Sequence, residues 1–370
     1  MKVPFLEIVT QFKQLTPDFE DAFHRVMNSG WYIGGFEVES FEREFAAYCQ
    51  TKYCVGVGNG LDGLSLTLKA CGIGAGDEVI VPANTFIGTW LAVSSTGAKP
   101  VPIEPDRITY NIDPEAIKAA ITPFTRAIIP VHLYGQPADM DRILEFASRY
   151  RLTVIEDAAQ AHGARYKGRL AGSLAHAAMF SFYPAKNLGA FGDAGAVVTD
   201  EEDIAKKIRK LGNYGSELKY QHTTKGFNSR LDPIQAAFLR VKLKYLDNWN
   251  ARRKEIADYY LTGLQNIKEV TLPCYPKWTE PCWHLFVIRH PHRNSLQKYL
   301  AEKGIDTLIH YPVAPHLSGA YADDYKDPPK LPITEVLAET VLSLPMGPHL
   351  SNEQVSYVIE AVRSFRYPVI

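Results

Sequence analysis

Between residue 53 and about residue 199, short runs rich in β-branched residues alternate with stretches of helical spacing, and no other feature of this 370-residue chain restricts its fold more. The runs fall at 53–57, 78–82, 99–103, 127–131, 153–156, 179–182 and 196–199. Strand-length apolar segments separated by helix-length ones are the pattern of an α/β domain. Residues 61–70, 114–120 and 140–150 supply the helical spacing between them. Right-handed crossovers then predict a mainly parallel seven-stranded sheet, covered on both faces. Ligands of such sheets bind beyond the strand C-termini.

After Thr199 the strand pattern stops, and 202–211, 233–244 and 249–264 read as successive helices. The remainder mixes a strand-like 283–289, a helix over 293–303 and a last helix begun by Ser351 with Gln354 three residues on, the spacing of a capping box. A chain of this length exceeds what one core holds. The expected division is a large α/β domain over 1–245 and a smaller α+β domain over 246–370. A formal net charge of −1 with 46% hydrophobic residues removes the electrostatic footprint of a nucleic-acid binder. No apolar run approaches the ~18 residues of a membrane span. The opening Met1-Lys2-Val3-Pro4 leads into mixed sequence without a secretory apolar stretch, so the expected location is cytoplasmic. Five cysteines without a C-x-x-C pair indicate neither a disulfide framework nor a zinc site, and no metal is expected.

Between Arg169 and Asp193, His176 aside, Lys186 is the only charged residue, set in Ser181-Phe182-Tyr183-Pro184-Ala185-Lys186-Asn187-Leu188-Gly189. Most lysines are solvated surface residues, but aromatic and glycine-rich surroundings weigh against that here. Desolvation lowers a lysine pKa, as an amine that attacks an aldehyde requires. Upstream, the run 153–156 ends at Asp157, an acid at the ligand end of its strand. Electron-sink chemistry on pyridoxal 5'-phosphate (PLP) needs a Schiff-base lysine and a carboxylate that keeps the pyridine nitrogen protonated. Asp157 alone also reads as a helix N-cap. Gly58-Asn59-Gly60-Leu61-Asp62-Gly63 offers backbone N–H groups and a helix N-terminus to a phosphate. It also matches the dinucleotide fingerprint G-x-G-x-x-G, with Glu78 near the spacing of the ribose acid, and it reads equally as turn chemistry. Phe86 lies just past the second run, where a flat ring could cover a pyridine. His310, Tyr311 and His316 either line a substrate pocket or form a polar loop.

These residues resemble the DegT/DnrJ/EryC1/StrS family of sugar aminotransferases, a branch of the fold-type I PLP enzymes. The resemblance spans the chain and rests on the motifs above together with Ser29-Gly30-Trp31-Tyr32-Ile33-Gly34-Gly35, Asn84-Thr85-Phe86, Glu156-Asp157-Ala158-Ala159-Gln160-Ala161-His162-Gly163 and Phe227-Asn228-Ser229-Arg230-Leu231-Asp232-Pro233. It implies that Lys186 carries PLP and moves the substrate proton, that Asp157 pairs with the ring nitrogen, that Gln160 bonds the ring hydroxyl and that Phe86 stacks on the ring. It places the phosphate on the Gly60 turn, held by the Leu61 and Asp62 amides and the Ser181 hydroxyl, with Asn228 reaching it from the second subunit of a homodimer. Tyr183, where C-4 members commonly carry histidine, resembles members that use L-glutamate to aminate C-3 of dTDP-linked 3-keto-6-deoxyhexoses. Leu61 stands where many members carry Thr, which removes one hydroxyl from the phosphate turn. Arg230 is either a carboxylate or phosphate partner or half of an interface ion pair. The competing readings are a C-4 aminotransferase acting on UDP- or GDP-linked sugars, a PLP-dependent sugar dehydratase lacking the lysine, an NAD-dependent oxidoreductase built on 58–63, and a non-catalytic PLP-binding regulator.

Overall fold

The computed structural model describes residues 1–325 and 327–367, so the last three residues of the expected second domain lie outside it. The seven runs form one sheet: β1 (Tyr53–Val57), β2 (Glu78–Pro82), β3 (Lys99–Ile103), β4 (Thr125–Ile128), β5 (Thr153–Asp157), β6 (Ala177–Ser181) and β7 (Gly195–Thr199), in the spatial order β1-β7-β6-β5-β4-β2-β3. Neighbours pair in parallel from β3 across to β6, whereas β7 is antiparallel to both β6 and β1. Parallel pairing needs a crossover of a dozen or more residues, usually a helix. Residues 182–194 contain no helix, so the chain turns straight back and β7 runs the other way. This turnback carries Lys186, at the C-terminal end of β6.

The fourth strand differs from its expected bounds. It spans Thr125–Ile128, and Val131 beyond it makes only a single bridge to Asp157. Pro130 has no N–H to give to a ladder, although its carbonyl still accepts the Asp157 N–H at 2.9 Å. The helices Gly60–Ala70, Pro114–Ala120 and Met140–Tyr150 lie where the spacing put them. The helix Phe36–Cys49, which was not anticipated, supplies Phe41 and Phe45 to a buried aromatic cluster beneath the turnback. Phe45 meets Phe180 at 5.1 Å and Phe182 at 5.2 Å, both edge-on. That geometry suits the quadrupoles of the rings.

C-terminal to the sheet, the helix Leu246–Leu264 leads into a second core. Ile256, Tyr260, Phe286, Ile288, Leu342, Leu344, Val355 and Val358 are buried together there. Its two-stranded ladder pairs Phe286–Arg289 with Val341–Leu344 antiparallel. The helix Asn352–Ser364 begins with the expected capping box: Gln354 N–H donates to Ser351 Oγ at 3.2 Å, and Ser351 N–H donates to Gln354 Oε1 at 3.0 Å. Val3 packs into this same core, its N–H donating to the Gly304 carbonyl at 2.9 Å, so the start of the chain joins the C-terminal unit. The whole is an α/β architecture, with a smaller α+β region beside the large sheet. Among the described residues no helix is long and apolar enough to cross a membrane.

Removing the fully buried Phe45 ring should cost about 3–5 kcal/mol through lost transfer energy and the cavity left behind. Phe45→Ala is therefore expected to unfold at a clearly lower denaturant concentration than the parent chain, read by circular dichroism.

Candidate active site

A cavity of about 460 Å³ opens at the C-terminal ends of the sheet strands and brings together Lys186, Asp157, Gln160, Phe86, Gly60 and Ser181. Its floor depends on glycines. In the sheet register Gly195 stands between Val57 and Ser181. A Cβ at Gly195 would lie 2.6 Å from the Asn59 carbonyl carbon, and one at Gly60 would lie 2.9 Å from Ser181 Cβ. Only bare backbone lets the turn after β1 settle on the ends of β6 and β7. The helix Gly60–Ala70 starts there, with Asn59 as its N-cap. Helix geometry leaves the Gly60 and Leu61 N–H groups without intrahelical acceptors, across from Ser181.

The structure alters one expectation at this turn. The Asp62 N–H donates to Asn59 Oδ1 at 2.9 Å, so the cap already occupies the amide expected to hold phosphate, and the adjacent Gly60 N–H takes its place among the free donors. The dinucleotide reading also loses its acid. Glu78 opens β2, at the N-terminal end of a strand parallel to both its neighbours, where its carboxylate faces Lys99 at 3.6 Å. A ribose acid belongs at the other end of that strand.

Lys186 is held through the backbone around it. Its N–H donates to the Tyr183 carbonyl at 2.8 Å, and Ala190 N–H closes the turnback on the Phe182 carbonyl at 2.7 Å. Next to it, the Asn187 amide donates to Asn250 Oδ1 at 2.9 Å and to the Cys282 carbonyl at 3.0 Å, while its oxygen faces His284 Nδ1 at 3.1 Å. Since Asn187 Oδ1 only accepts, His284 must carry its proton on Nδ1, and its Nε2 is left a bare acceptor in the cavity wall. On the other side, the buried Lys242 donates to the Gly189 carbonyl at 2.7 Å. The Lys186 ammonium itself has no hydrogen bond or ion pair among the described residues. Burial pushes its pKa down to about 8, and the charge of Asp157 opposes that shift.

Adjacent strand residues point to opposite faces, and β5 ends in two acids used differently. Glu156 is fully buried and saturated by His132 Nε2 and the N–H groups of Gly172, Leu174 and Ala175. Asp157 faces the cavity, where its carboxylate accepts the Thr89 hydroxyl at 2.8 Å and the Ala159 N–H at 3.2 Å. Burial pushes the Asp157 pKa up, against those two donors and the charge of Lys186. The Gln160 side chain accepts the Tyr134 N–H at 2.6 Å and donates to the Tyr311 hydroxyl at 3.0 Å. Phe86, 55% exposed at the mouth, sets its ring 5.4 Å from that of Tyr311.

Tyr183, His310 and Tyr311 line the same cavity. His310 is fixed through Nδ1 to Ser343 Oγ at 2.8 Å, and burial lowers its pKa to about 4, so it stands neutral near pH 7. Three expected residues lie elsewhere. His316 is buried beside Glu335, 3.4 Å from its carboxylate, and does not border the cavity. Arg230 donates to Asn213 Oδ1 at 2.9 Å and lies over the Tyr214 ring. Asn228 is exposed, whereas its neighbour Ser229 is buried and accepts the Gly58 N–H at 3.0 Å. Sequence reasoning missed Thr85, Thr89, Asn187 and His284. The two threonines form an i, i+4 hydroxyl pair with no chemical signature in one sequence, and His284 meets Asn187 only through the fold. Among the described residues no cluster of three or more His, Cys, Asp or Glu side chains is placed to hold a metal ion.

A lysine, an acid, a glutamine and an amide-lined glycine turn around one cavity are the groups a phosphorylated pyridine aldehyde needs. The model of the DegT/DnrJ/EryC1/StrS aminotransferase family matches residues 13–363. The chain belongs to this family. It is 53% identical over 364 residues to the erythromycin biosynthesis sensory transduction protein EryC1 of Saccharopolyspora erythraea, covering 98% of this chain and 100% of that one. It is also 53% identical to the dTDP-3-amino-3,4,6-trideoxy-alpha-D-glucose transaminase of Streptomyces venezuelae, over 98% of this chain and 96% of that one. The crystal structure of S. venezuelae DesV in complex with a ketimine intermediate superposes with a TM-score of 0.96 at 53% identity, over 98% of both chains. The family member described here is thus a PLP-dependent aminotransferase.

With the amine pKa near 8, the neutral form that attacks an aldehyde grows as pH rises through that value. The rate at which cofactor-free protein takes up PLP is expected to rise with a midpoint near pH 8. Asp157→Asn should move that midpoint down, because the carboxylate is what raises it. A midpoint near that of a solvated lysine, read by stopped-flow absorbance, would contradict the desolvation argument.

Proposed function

We propose that the chain transfers an amino group from L-glutamate to C-3 of a dTDP-linked 3-keto-6-deoxyhexose. The observation that carries this reading is that Lys186 and Asp157 border one cavity into whose wall Tyr183, His284, His310 and Tyr311 set polar and aromatic side chains. Such a wall suits a sugar. Bound PLP supplies an electron sink for negative charge at the carbon that loses a proton. Lys186, as a neutral amine facing the cavity, would hold the cofactor aldehyde and move the proton that the substrate carbon loses and regains. Asp157 holds the proton on the pyridine nitrogen, and Gln160, tied to Tyr134 and Tyr311, meets the ring hydroxyl. Phe86 covers the ring. The Gly60 and Leu61 N–H groups and the Ser181 hydroxyl hold the phosphate.

The working unit in this reading is a homodimer. Asn228 is exposed and does not line the Lys186 cavity of its own chain, which fits a residue given to a second copy's phosphate site. Exposed Trp31, Phe36 and Tyr220, at 63%, 68% and 82%, supply apolar surface for the same contact. Position C-3 rests on Tyr183 and on the name of the Streptomyces venezuelae transaminase. The retained Lys186 disfavours a dehydratase that works without it, and the placement of Glu78 disfavours NAD.

Purified protein is expected to show a visible cofactor band that L-glutamate bleaches and a dTDP-3-keto-6-deoxyhexose restores. The product should carry nitrogen at C-3 by NMR, and restoration only by a 4-keto sugar would move the reading to C-4. Lys186→Ala should keep its circular dichroism spectrum while turnover drops by about a hundredfold to ten-thousandfold, the usual contribution of a positioned acid–base group. Undiminished turnover would refute the role of Lys186.

A further inference from the structure

Asp157 has a problem that its own strand does not solve: a carboxylate 5% exposed is driven toward its neutral form, and a neutral acid cannot hold a proton on a neighbouring pyridine. Thr89 stands against it with Thr85 behind, each 2% exposed. Thr89 Oγ1 lies 2.8 Å from Asp157 Oδ2 and 3.0 Å from Thr85 Oγ1. A hydroxyl has one proton. A carboxylate accepts and does not donate, so the Thr89 proton points at Asp157, and the Thr85 proton is then free to point at Thr89. The result is a directed chain of two O–H dipoles, Thr85 to Thr89 and Thr89 to the carboxylate. Chains of this kind strengthen each other in low-dielectric surroundings.

We propose that Thr89, oriented by Thr85, is the positioning residue that keeps Asp157 ionised and directed at the pyridine nitrogen of the bound cofactor. The inference rests on the assignment of Asp157 as the ring partner made above. Each carboxylate oxygen takes one donor from the protein, Thr89 on Oδ2 and the Ala159 N–H on Oδ1, which fixes the plane of the group and leaves a lone pair on each oxygen for the ring. The other titratable groups facing Asp157 are Lys186 from the turnback, His132 from the segment after β4 and Tyr311 from the C-terminal unit. None of them is placed to substitute for Thr89. Lys186 serves the reaction, His132 is committed to Glu156 through Nε2 and to the Ala138 N–H through Nδ1, and the Tyr311 hydroxyl accepts from Gln160.

The test is ¹⁵N NMR of the enzyme reconstituted with PLP labelled at the pyridine nitrogen, without substrate, across the neutral pH range. In the parent enzyme the resonance is expected at the protonated position. Thr89→Val and Thr89→Ala, which both remove the hydroxyl, the first at nearly the same volume and the second with a smaller side chain, should move it toward the unprotonated position. Thr89→Ser should restore it, and Thr85→Val should give a smaller displacement in the same direction. A protonated parent with unmoved Thr89→Val and Thr89→Ala resonances would overturn the role of Thr89 alone. An unprotonated parent resonance would instead overturn the assignment of Asp157, and with it the inference. Displacement in Thr89→Ser equal to that in Thr89→Ala would show that the threonine methyl group, through packing, is what matters.

Discussion

Desolvation of charge in the cavity sets the requirements that the rest of the structure meets. Taking an ammonium and a carboxylate out of water weakens the charged form of each, and the two respond in opposite directions: Lys186 falls to about 8 and Asp157 rises. Each supports the other's charge, yet they form no ion pair among the described residues. A closed salt bridge would tie up both groups. Held apart across a cavity, neither group is neutralised by the other, and the Thr89 hydroxyl and Ala159 N–H oppose the upward pull of burial on the acid.

The same economy of polar groups recurs wherever the turnback meets the helices behind it. Lys242 is buried with no carboxylate partner among the described residues; it donates to the Gly189 carbonyl and lies 4.0 Å from the centre of the Phe191 ring, and burial lowers its pKa to about 8. Arg253 is likewise buried, with Nη1 donating to the carbonyls of Trp283, His284 and Met346. A buried cation is tolerable when carbonyl dipoles and aromatic faces replace its water. Both cations grip backbone at the edge of the cavity. Lys242 holds the loop of Lys186, and Arg253 holds the segment that presents His284. Beneath them the Phe41, Phe45, Phe180 and Phe182 cluster gives the loop an apolar bed that a water-filled site would lack.

Much of this was legible in one dimension, for a physical reason. The sheet shows in the sequence because buried parallel strands are short apolar runs, and six of the seven began and ended within two residues of their expected bounds. Lys186 stood out because burial excludes other charges from its neighbourhood, and Asp157 because an acid at a strand end breaks an apolar run. The misses share a cause as well. Asp62 was assigned to phosphate because a glycine-rich turn does not reveal which amide its own cap consumes. His316 looked like a pocket residue because it is a histidine in a loop near His310, and only packing against Glu335 takes it elsewhere.

The sequence by itself determined the alternation that makes an α/β sheet, the glycines that permit close approach at positions 60 and 195, and the lysine and acid that meet at the cavity. These are local properties, set by side-chain size, backbone freedom and charge. Tertiary structure decided the reversed direction of β7, the choice of Gly60 and Leu61 over Asp62 as open amides, the pairing of Asn187 with His284, and the two threonines behind Asp157. Each of these depends on which distant groups compete for the same hydrogen bond. Asn187 and His284 lie 97 residues apart along the chain, and only the folded backbone brings them within 3.1 Å.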